Sequence, residues 1–317
     1  MFTRLSTAAL VVLLACALPA HAQDWTFTGG DGETVILDAR PQRIIAHQDA
    51  AAGLIPLGIR PVGIYADSAI EAAKALEGLD LSGIEIIGTA WSEVDIEKAA
   101  ALEPDLIVAE WWDRNSAWSG GADIARTLSP LAPITGVAAS NSIVGMIEDY
   151  EALAASLGAD LDAPAIAADK AAFETARAAF EAATAAKPDL KAVAVYAGND
   201  AIYFADPAGA AELLDLQSWG LDLITPGGVD SAGNNYFETV SWENADKYPT
   251  DLILVDNRSA ATLETALAQP TWTLNPGAAA GQVADWPAFW LRNYAAYARE
   301  LAKLTEVIDA ADASVVP

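Results

Sequence analysis

Cysteine is almost absent from this chain. The one copy, Cys16, lies within the first 22 residues. A product cut after that stretch would have no disulfide, no thiolate nucleophile and no cysteine metal site. Histidine is nearly as scarce, with His21 in the same stretch and only His47 beyond it. A structural zinc site takes four ligands, so a bare transition-metal centre is not expected, and no resident cofactor is read. A lone His47 after a strand serves either as hydrogen-bonded scaffold or as a ligand. There is no G-x-S-x-G, no phosphate-binding loop, no G-x-G-x-x-G after a strand and no H-E-x-x-H. A Ser–His or Cys–His hydrolase is hard to assemble from these residues. The reading is therefore not an enzyme, with a secreted carboxylate-based hydrolase as the rival from another class, because acids are abundant. Basic residues are few: 17 Lys and Arg against 44 Asp and Glu give a net charge of −27. That balance argues against nucleic acid or anionic lipid as a partner and suits a solvated acidic surface.

Long apolar runs are missing too, apart from the start. Residues 1–22 carry one early base (Arg4), the run AALVVLLACAL, and then Ala20-His21-Ala22. This reads as an export signal cleaved before Gln23, too short for a membrane anchor. Leu13-Leu14-Ala15-Cys16 also resembles a lipobox, which would make Cys16 a lipidated N-terminus. Either way the chain is expected outside the cytoplasm, in the periplasm.

What the chain does have is alternation. Trp25–Leu37 reads as a hairpin around GGDGE. Buried strands are expected at Arg43–Ala46, Pro61–Tyr65, Glu85–Gly88 and Asp105–Ala109. Helices are expected at Gln48–Leu57, Glu97–Leu102 and Asn141–Leu157. The pattern resumes with strands at Ala192–Tyr196 and Asp251–Val255, a helix at Ala208–Trp219, and a helical segment Trp286–Leu304 with a frayed tail. Between the halves, Pro164–Lys187 is one uninterrupted helix of strong helix formers, with Asp162 placed to cap it and Pro164 in its first turn. Ile166, Phe173 and Phe180 form its apolar stripe. The fold class is α/β: two lobes joined by a single long rigid helix, with a ligand cleft between them. The units are 1–22, a lobe over 23–160, a connecting helix over 161–188, and a lobe over 189–317.

The halves echo each other. Glu97 to Val108 aligns without gaps with Glu243 to Leu254, both running from Glu, across seven residues, to Asp-Leu-Ile and an aliphatic residue. Asp113-Arg114 follows one copy and Asn257-Arg258 the other. Open α/β sheets bind ligands beyond the carboxyl ends of their strands, which puts Arg114 and Arg258 at a shared cleft. Ten tryptophans are many for this length. Trp25, Trp219 and Trp290 read as structural. Trp91, Trp111, Trp112 and Trp118 sit in polar loops, and Trp242, Trp272 and Trp286 sit among turn residues. An aromatic lining of that kind suits a large, partly apolar ligand.

With these residues in view, the chain resembles the class III periplasmic substrate-binding proteins of ABC importers, which carry ferric siderophores, haem and cobalamin. The likeness runs from about Thr34 to Trp286, through Arg40-Pro41-Gln42-Arg43-Ile44-Ile45, Leu57-Gly58-Ile59-Arg60-Pro61-Val62-Gly63, Leu102-Glu103-Pro104-Asp105-Leu106-Ile107 and Val240-Ser241-Trp242-Glu243. It implies little domain closure, and a glutamate on each lobe, here Glu97 and Glu243, that docks into permease arginines. It also implies cleft aromatics at Tyr65, Trp91 and Phe237. The hydroxamate-siderophore branch carries an arginine where this chain has Trp91, a role Arg114 or Arg258 could take over. The expected ligand is a ferric siderophore bound by a monomer. The alternative is cobalamin or haem, with His47 or Tyr65 as axial ligand for haem.

Overall fold

The structure is a computed structural model that describes residues 24–113, 116–139, 142–229 and 236–316. The leader, Cys16 and Arg114 lie outside the described residues. In chain order the elements are β1 (Trp25–Thr28), β2 (Thr34–Leu37), β3 (Ile44–His47), α1 (Gln48–Leu54), β4 (Gly63–Ala66), β5 (Glu85–Thr89), α2 (Ile96–Ala101) and β6 (Leu106–Val108). Next come β7 (Trp111–Trp112), β8 (Ala117–Trp118), α3 (Ala122–Leu128), β9 (Ile134–Thr135), α4 (Ile143–Ser156) and the long α5 (Pro164–Ala186). The second half has β10 (Lys191–Ala197), β11 (Ile202–Ala205), α6 (Ala211–Ser218), β12 (Asp222–Leu223), β13 (Phe237–Val240) and β14 (Leu252–Asp256). It closes with α7 (Ala260–Ala268), α8 (Pro276–Ala279), β15 (Val283–Trp286) and α9 (Tyr294–Ala310).

Two sheets result. The first is parallel throughout, in the order β5-β4-β3-β6-β9. The second runs β13-β11-β10-β14-β15, with β12 also on β10; β10, β12, β14 and β15 are parallel, β11 runs against them, and β13 pairs antiparallel with β11. The internal repeat has a physical meaning in both. Asp105, just before β6, accepts the backbone N–H groups of Gln42 and Arg43 at 2.7 and 2.8 Å. Asp251, just before β14, accepts that of Lys191 at 3.1 Å. Each aspartate fixes the start of the neighbouring parallel strand, so the matched Asp-Leu-Ile sets register in both halves.

Alternation along the strands sorts the core into three. Ile45 and Ile107 pack with Tyr65, Ile87 and Ile124 on the outer face of the first sheet. Val193, Val195, Ile253 and Val255 do the same on the outer face of the second, with Trp242 and Trp272 among them. The inner faces, Ile44, Ala46, Leu106 and Val108 from one sheet and Ala192, Ala194, Leu252 and Leu254 from the other, belong to one continuous core. Period two sends successive side chains to opposite faces, so each sheet has one private face and one shared.

Helix α5 carries its expected stripe: Ile166, Phe173 and Phe180 are buried, and Phe173 packs on Trp219, Tyr294 and Tyr297. Asp162 is not its cap; Ala163 holds that position without a side-chain hydrogen bond, and Pro164 starts the helix. Lys187 ends it and donates to the carbonyls of Ile308 and Asp309, each at 2.7 Å, and of Ala311. A cation there meets the negative ends of two helices at once. Three further expectations need correction. Trp286 ends strand β15 rather than opening a helix, because Val283-Ala-Asp-Trp alternates as a strand beside β14. Trp242 and Trp272 form an edge-to-face pair inside the second half, not a cleft lining. The tail is tied down, with Val316 N–H donating to Asp251 at 2.9 Å and Gln282 Nε2 donating to the Asp312 carbonyl at 3.0 Å.

Candidate functional site

Both sheets aim the carboxyl ends of their parallel strands at one cleft. On the first sheet the chain leaves β3 at Gln48-Asp49, β4 at Asp67-Ser68 and β6 toward Trp112. On the second it leaves β14 at Asn257-Arg258 and β15 toward Phe289-Trp290. These segments line a cavity of about 410 Å³. Its aromatic wall comes from both halves: Trp91, Trp112 and Trp118 from one, Tyr236, Phe289 and Trp290 from the other. Trp91 is 59% exposed, which is costly for an indole unless something covers it. A larger hollow of about 590 Å³ lies on the outer side of the second half, between α7 and α9. It is lined by one half alone and is not placed at strand ends, so it lacks the placement that α/β ligand sites share.

Polar groups in the cavity are largely matched to one another. Arg258 projects into it with a half-exposed guanidinium, but Asp256 grips that group through two nitrogens, Nε at 2.9 Å and Nη2 at 2.6 Å. The same guanidinium stacks 4.9 Å from the Phe289 ring centre. Burial disfavours its charge, yet Asp256 outweighs burial and holds the Arg258 pKa above its usual value. Lys74 pairs with Glu77 at 3.0 Å. Trp290 Nε1 donates to Asn257 at 2.8 Å, which fixes the indole at the wall.

Beneath the cavity floor lies a buried charge cluster that ties the halves together. Arg292, 1% exposed, forms a two-pronged bridge to the fully buried Glu110, with Nη2 to Oε2 at 2.8 Å. Tyr150 adds its hydroxyl to Glu110 Oε1 at 2.8 Å. Asp49 borders the cavity and reaches Arg292 Nη2 at 3.9 Å and His47 Nδ1 at 3.6 Å. His47 caps α1 by accepting the Asp49 N–H, and its Nε2 lies 3.2 Å from Asp67. Burial pushes the Asp49 carboxyl up to about 6, against the pull of His47 and Arg292. Burial also works against charge on His47, but Asp49, Asp67 and Glu110 together carry its pKa above the ordinary value.

Trp91, Trp112 and Arg258 thus lie on the cavity wall, while Arg114 lies outside the described residues. Four other expected residues sit one layer back. His47 is completely buried in the cluster. Tyr65 is 3% exposed and packs edge-on against His47. Trp111 braces Trp118 with ring centres 5.1 Å apart, and Phe237 braces Tyr236 at 4.6 Å. Glu97 and Glu243 are exposed, each in the first turn of its short helix; Ser241 donates its hydroxyl to Glu243, which keeps that carboxyl ionised to lower pH than usual. Sequence reasoning passed over Tyr236, Phe289, Asp49 and Asp67; Trp290, read as core, is buried in the shared core and borders the cavity as well. Among the described residues no cluster of three or more metal-ligating side chains occurs, and no helix is long and apolar enough to cross a membrane.

The family model described as periplasmic binding protein matches residues 79–288. No curated protein matches the chain. Among solved structures, the ferric-siderophore receptor protein DesE from Streptomyces coelicolor is similar at 28% identity and TM-score 0.82, over 91% of this chain and 99% of that one. The siderophore periplasmic binding protein from the fuscachelin gene cluster of Thermobifida fusca is similar at 22% identity and TM-score 0.63, over 86% and 98%. FhuD from Vibrio cholerae, solved with Fe3+-Desferal, gives 20% identity and TM-score 0.60, over 87% and 99%. The last two speak for the two-lobe fold alone.

Proposed function

The chain belongs to the periplasmic binding protein family, and from that premise we propose that it captures a ferric siderophore in the cleft and delivers it to an ABC importer. The observation that carries this reading is the cavity of about 410 Å³ at the strand ends of both sheets, walled by three aromatics from each half. Its size and lining suit a rounded, partly apolar chelate. The likeness to a ferric-siderophore receptor over nearly the whole chain supports the same class. Haem held by the expected axial ligands is the weaker reading, because His47 and Tyr65 are buried behind the wall and do not reach the cavity. Proteins of this family bind solutes rather than convert them, so no reaction is assigned. Export by the residue 1–22 leader, and working units over 23–160, 161–188 and 189–317, complete the proposal.

Ferric chelates quench nearby indoles. Titration with a panel of ferric siderophores is expected to quench tryptophan emission saturably for the matching chelate. Trp112→Ala should weaken that binding by roughly thirtyfold, the effect of ~2 kcal/mol at a buried aromatic anchor. An absorption spectrum of copurifying material separates the alternatives, since haem, cobalamin and ferric charge-transfer bands differ. Saturable binding left unchanged by Trp112→Ala would place the ligand elsewhere.

Delivery is assigned to Glu97 and Glu243, exposed acids at matching places in the two halves. Exposed charges steer encounter and fix orientation, with a strength that falls as salt rises. Replacing both with Arg should leave ligand affinity and melting temperature nearly unchanged while uptake through the cognate importer falls, further than with the double Ala variant. Full uptake by the double Arg variant at normal protein levels would reduce both residues to first-turn acids, worth about 0.3–1 kcal/mol each through the helix dipole.

A further inference from the structure

Phe289 has a backbone φ of 65°. The left-handed region is rare for any residue with a Cβ and an outlier for a bulky one; glycine occupies it freely. Strain of this kind persists where the surroundings over-determine it, and it clusters at ligand clamps. Here the surroundings are explicit. Fully buried Glu212 accepts the Phe289 N–H and Trp286 Nε1, both at 2.9 Å, and holds the turn. The ring is wedged among Tyr236 at 5.2 Å, Trp286 at 5.8 Å and Trp112, across the cleft, at 6.2 Å. The turn thus keeps a phenyl ring where a residue without a side chain would fit more easily.

The position of the ring indicates what it does. Behind the main cavity lies a second chamber of about 150 Å³, bordered by Ile143 and Met146 of α4 and by Glu212 and Arg292. Trp112 and Phe289 line both spaces, and both halves of the molecule therefore contribute to the partition. We propose that Phe289, with Trp112 opposite, closes the rear chamber and sets the depth of the cleft, so that the chain takes compact ferric chelates and rejects those bearing an extended substituent. This rests on the siderophore reading above and names the size class that the cleft accepts.

The decisive variant is Phe289→Gly, which removes the ring and the strain together, so the turn itself is undisturbed. Two chelates serve as probes: ferrioxamine B, and the same chelate with a naphthoyl group on its terminal amine. Wild-type protein should bind the first at least tenfold more tightly than the second. Phe289→Gly should close that gap by gaining affinity for the naphthoyl form, and Phe289→Leu should retain most of it. Equal affinity of the wild type for both probes would overturn the proposal, as would a gap that Phe289→Gly leaves unchanged. If neither protein binds either chelate, the siderophore reading stands or falls with the wider panel above. The partition is then decided by N-phenyl-1-naphthylamine, a neutral aryl probe: tenfold tighter binding to Phe289→Gly supports a closed rear chamber, and equal affinity refutes it. Circular dichroism and thermal melting confirm folding, and Phe289→Ala takes the place of the glycine variant, with the same outcomes, if that variant does not fold.

Discussion

Replacing Arg292 with Met is expected to destabilise this protein by about 3–5 kcal/mol, measured by urea unfolding near neutral pH. The side chain is almost as long, so little packing volume is lost. What remains is the Glu110 carboxylate, fully buried and left with only the Tyr150 hydroxyl. An unpaired buried charge either stays and costs several kcal/mol or takes up a proton at similar expense. The double variant Arg292→Met, Glu110→Leu should recover most of the loss, because a buried ion pair exchanged for apolar groups is often close to neutral. A loss below about 1 kcal/mol for the single variant would mean that the pair is hydrated and does not hold the halves together. The pair joins residues 182 apart in sequence, so the effect belongs to the joint between halves and not to either half alone.

The second large effect depends on pH. The folded-state pKa of Asp49 is raised from 3.8 to about 6, and that of His47 is raised above 6.5. Both move in the same direction: the folded protein holds more protons than the unfolded chain between roughly pH 4 and the folded pKa of His47. Stability from these groups is therefore fully present at the acidic end of that window and lost as pH rises through it. For the Asp49 carboxyl alone, the rise from 3.8 to about 6 ties roughly 3 kcal/mol of stability to its proton. Proton uptake by His47 gives up the cap bond from Asp49 N–H at 3.3 Å and gains the Asp49 carboxylate at 3.6 Å. The urea midpoint should rise as pH falls from 8 to about 5.5. Asp49→Asn should flatten the profile, since it removes one titrating group and the strongest of the carboxylates that raise the other. A wild-type profile already flat between pH 8 and 5.5 would show that water reaches the cluster.

Fully buried parallel strands read as continuous apolar runs, and that is why Arg-Ile-Ile-Ala, Asp-Leu-Ile-Val and Asp-Leu-Ile-Leu were visible before any fold was known. The long helix was legible from its stripe and its proline. Strands β11 and β13 were not, because each has four residues, Tyr203 interrupts the apolar run of one, and Glu238-Thr239 sit in the middle of the other. Strand β15 was hidden by the apolar run that continues from Trp286 toward α9. In the site, Trp91 and Trp112 stood out as indoles in polar loops. Tyr236 and Phe289 carry no periodic signal, and only the turn after β15 brings Phe289 opposite Trp112. Arg258 was found through the repeat, but nothing in the sequence marked Asp256 as its partner. No local pattern could pair Glu110 with Arg292, since only the topology brings them together.

A core that does not stop at the cleft limits how this chain can be altered. Ala46 and Val108 from one sheet and Ala192 and Leu254 from the other share the same packed interior with Phe173 and Tyr297. Grafting one half onto the other half of a relative would cut through that interior and leave mismatched volumes on both sides, where even one methylene is felt. The halves are not interchangeable cassettes. The segments that follow the strands, at 67–72, 111–113, 257–258 and 289–290, border the cleft. Several of their side chains can be exchanged with little disturbance of the interior, and diversification toward new cargo has its freest room there.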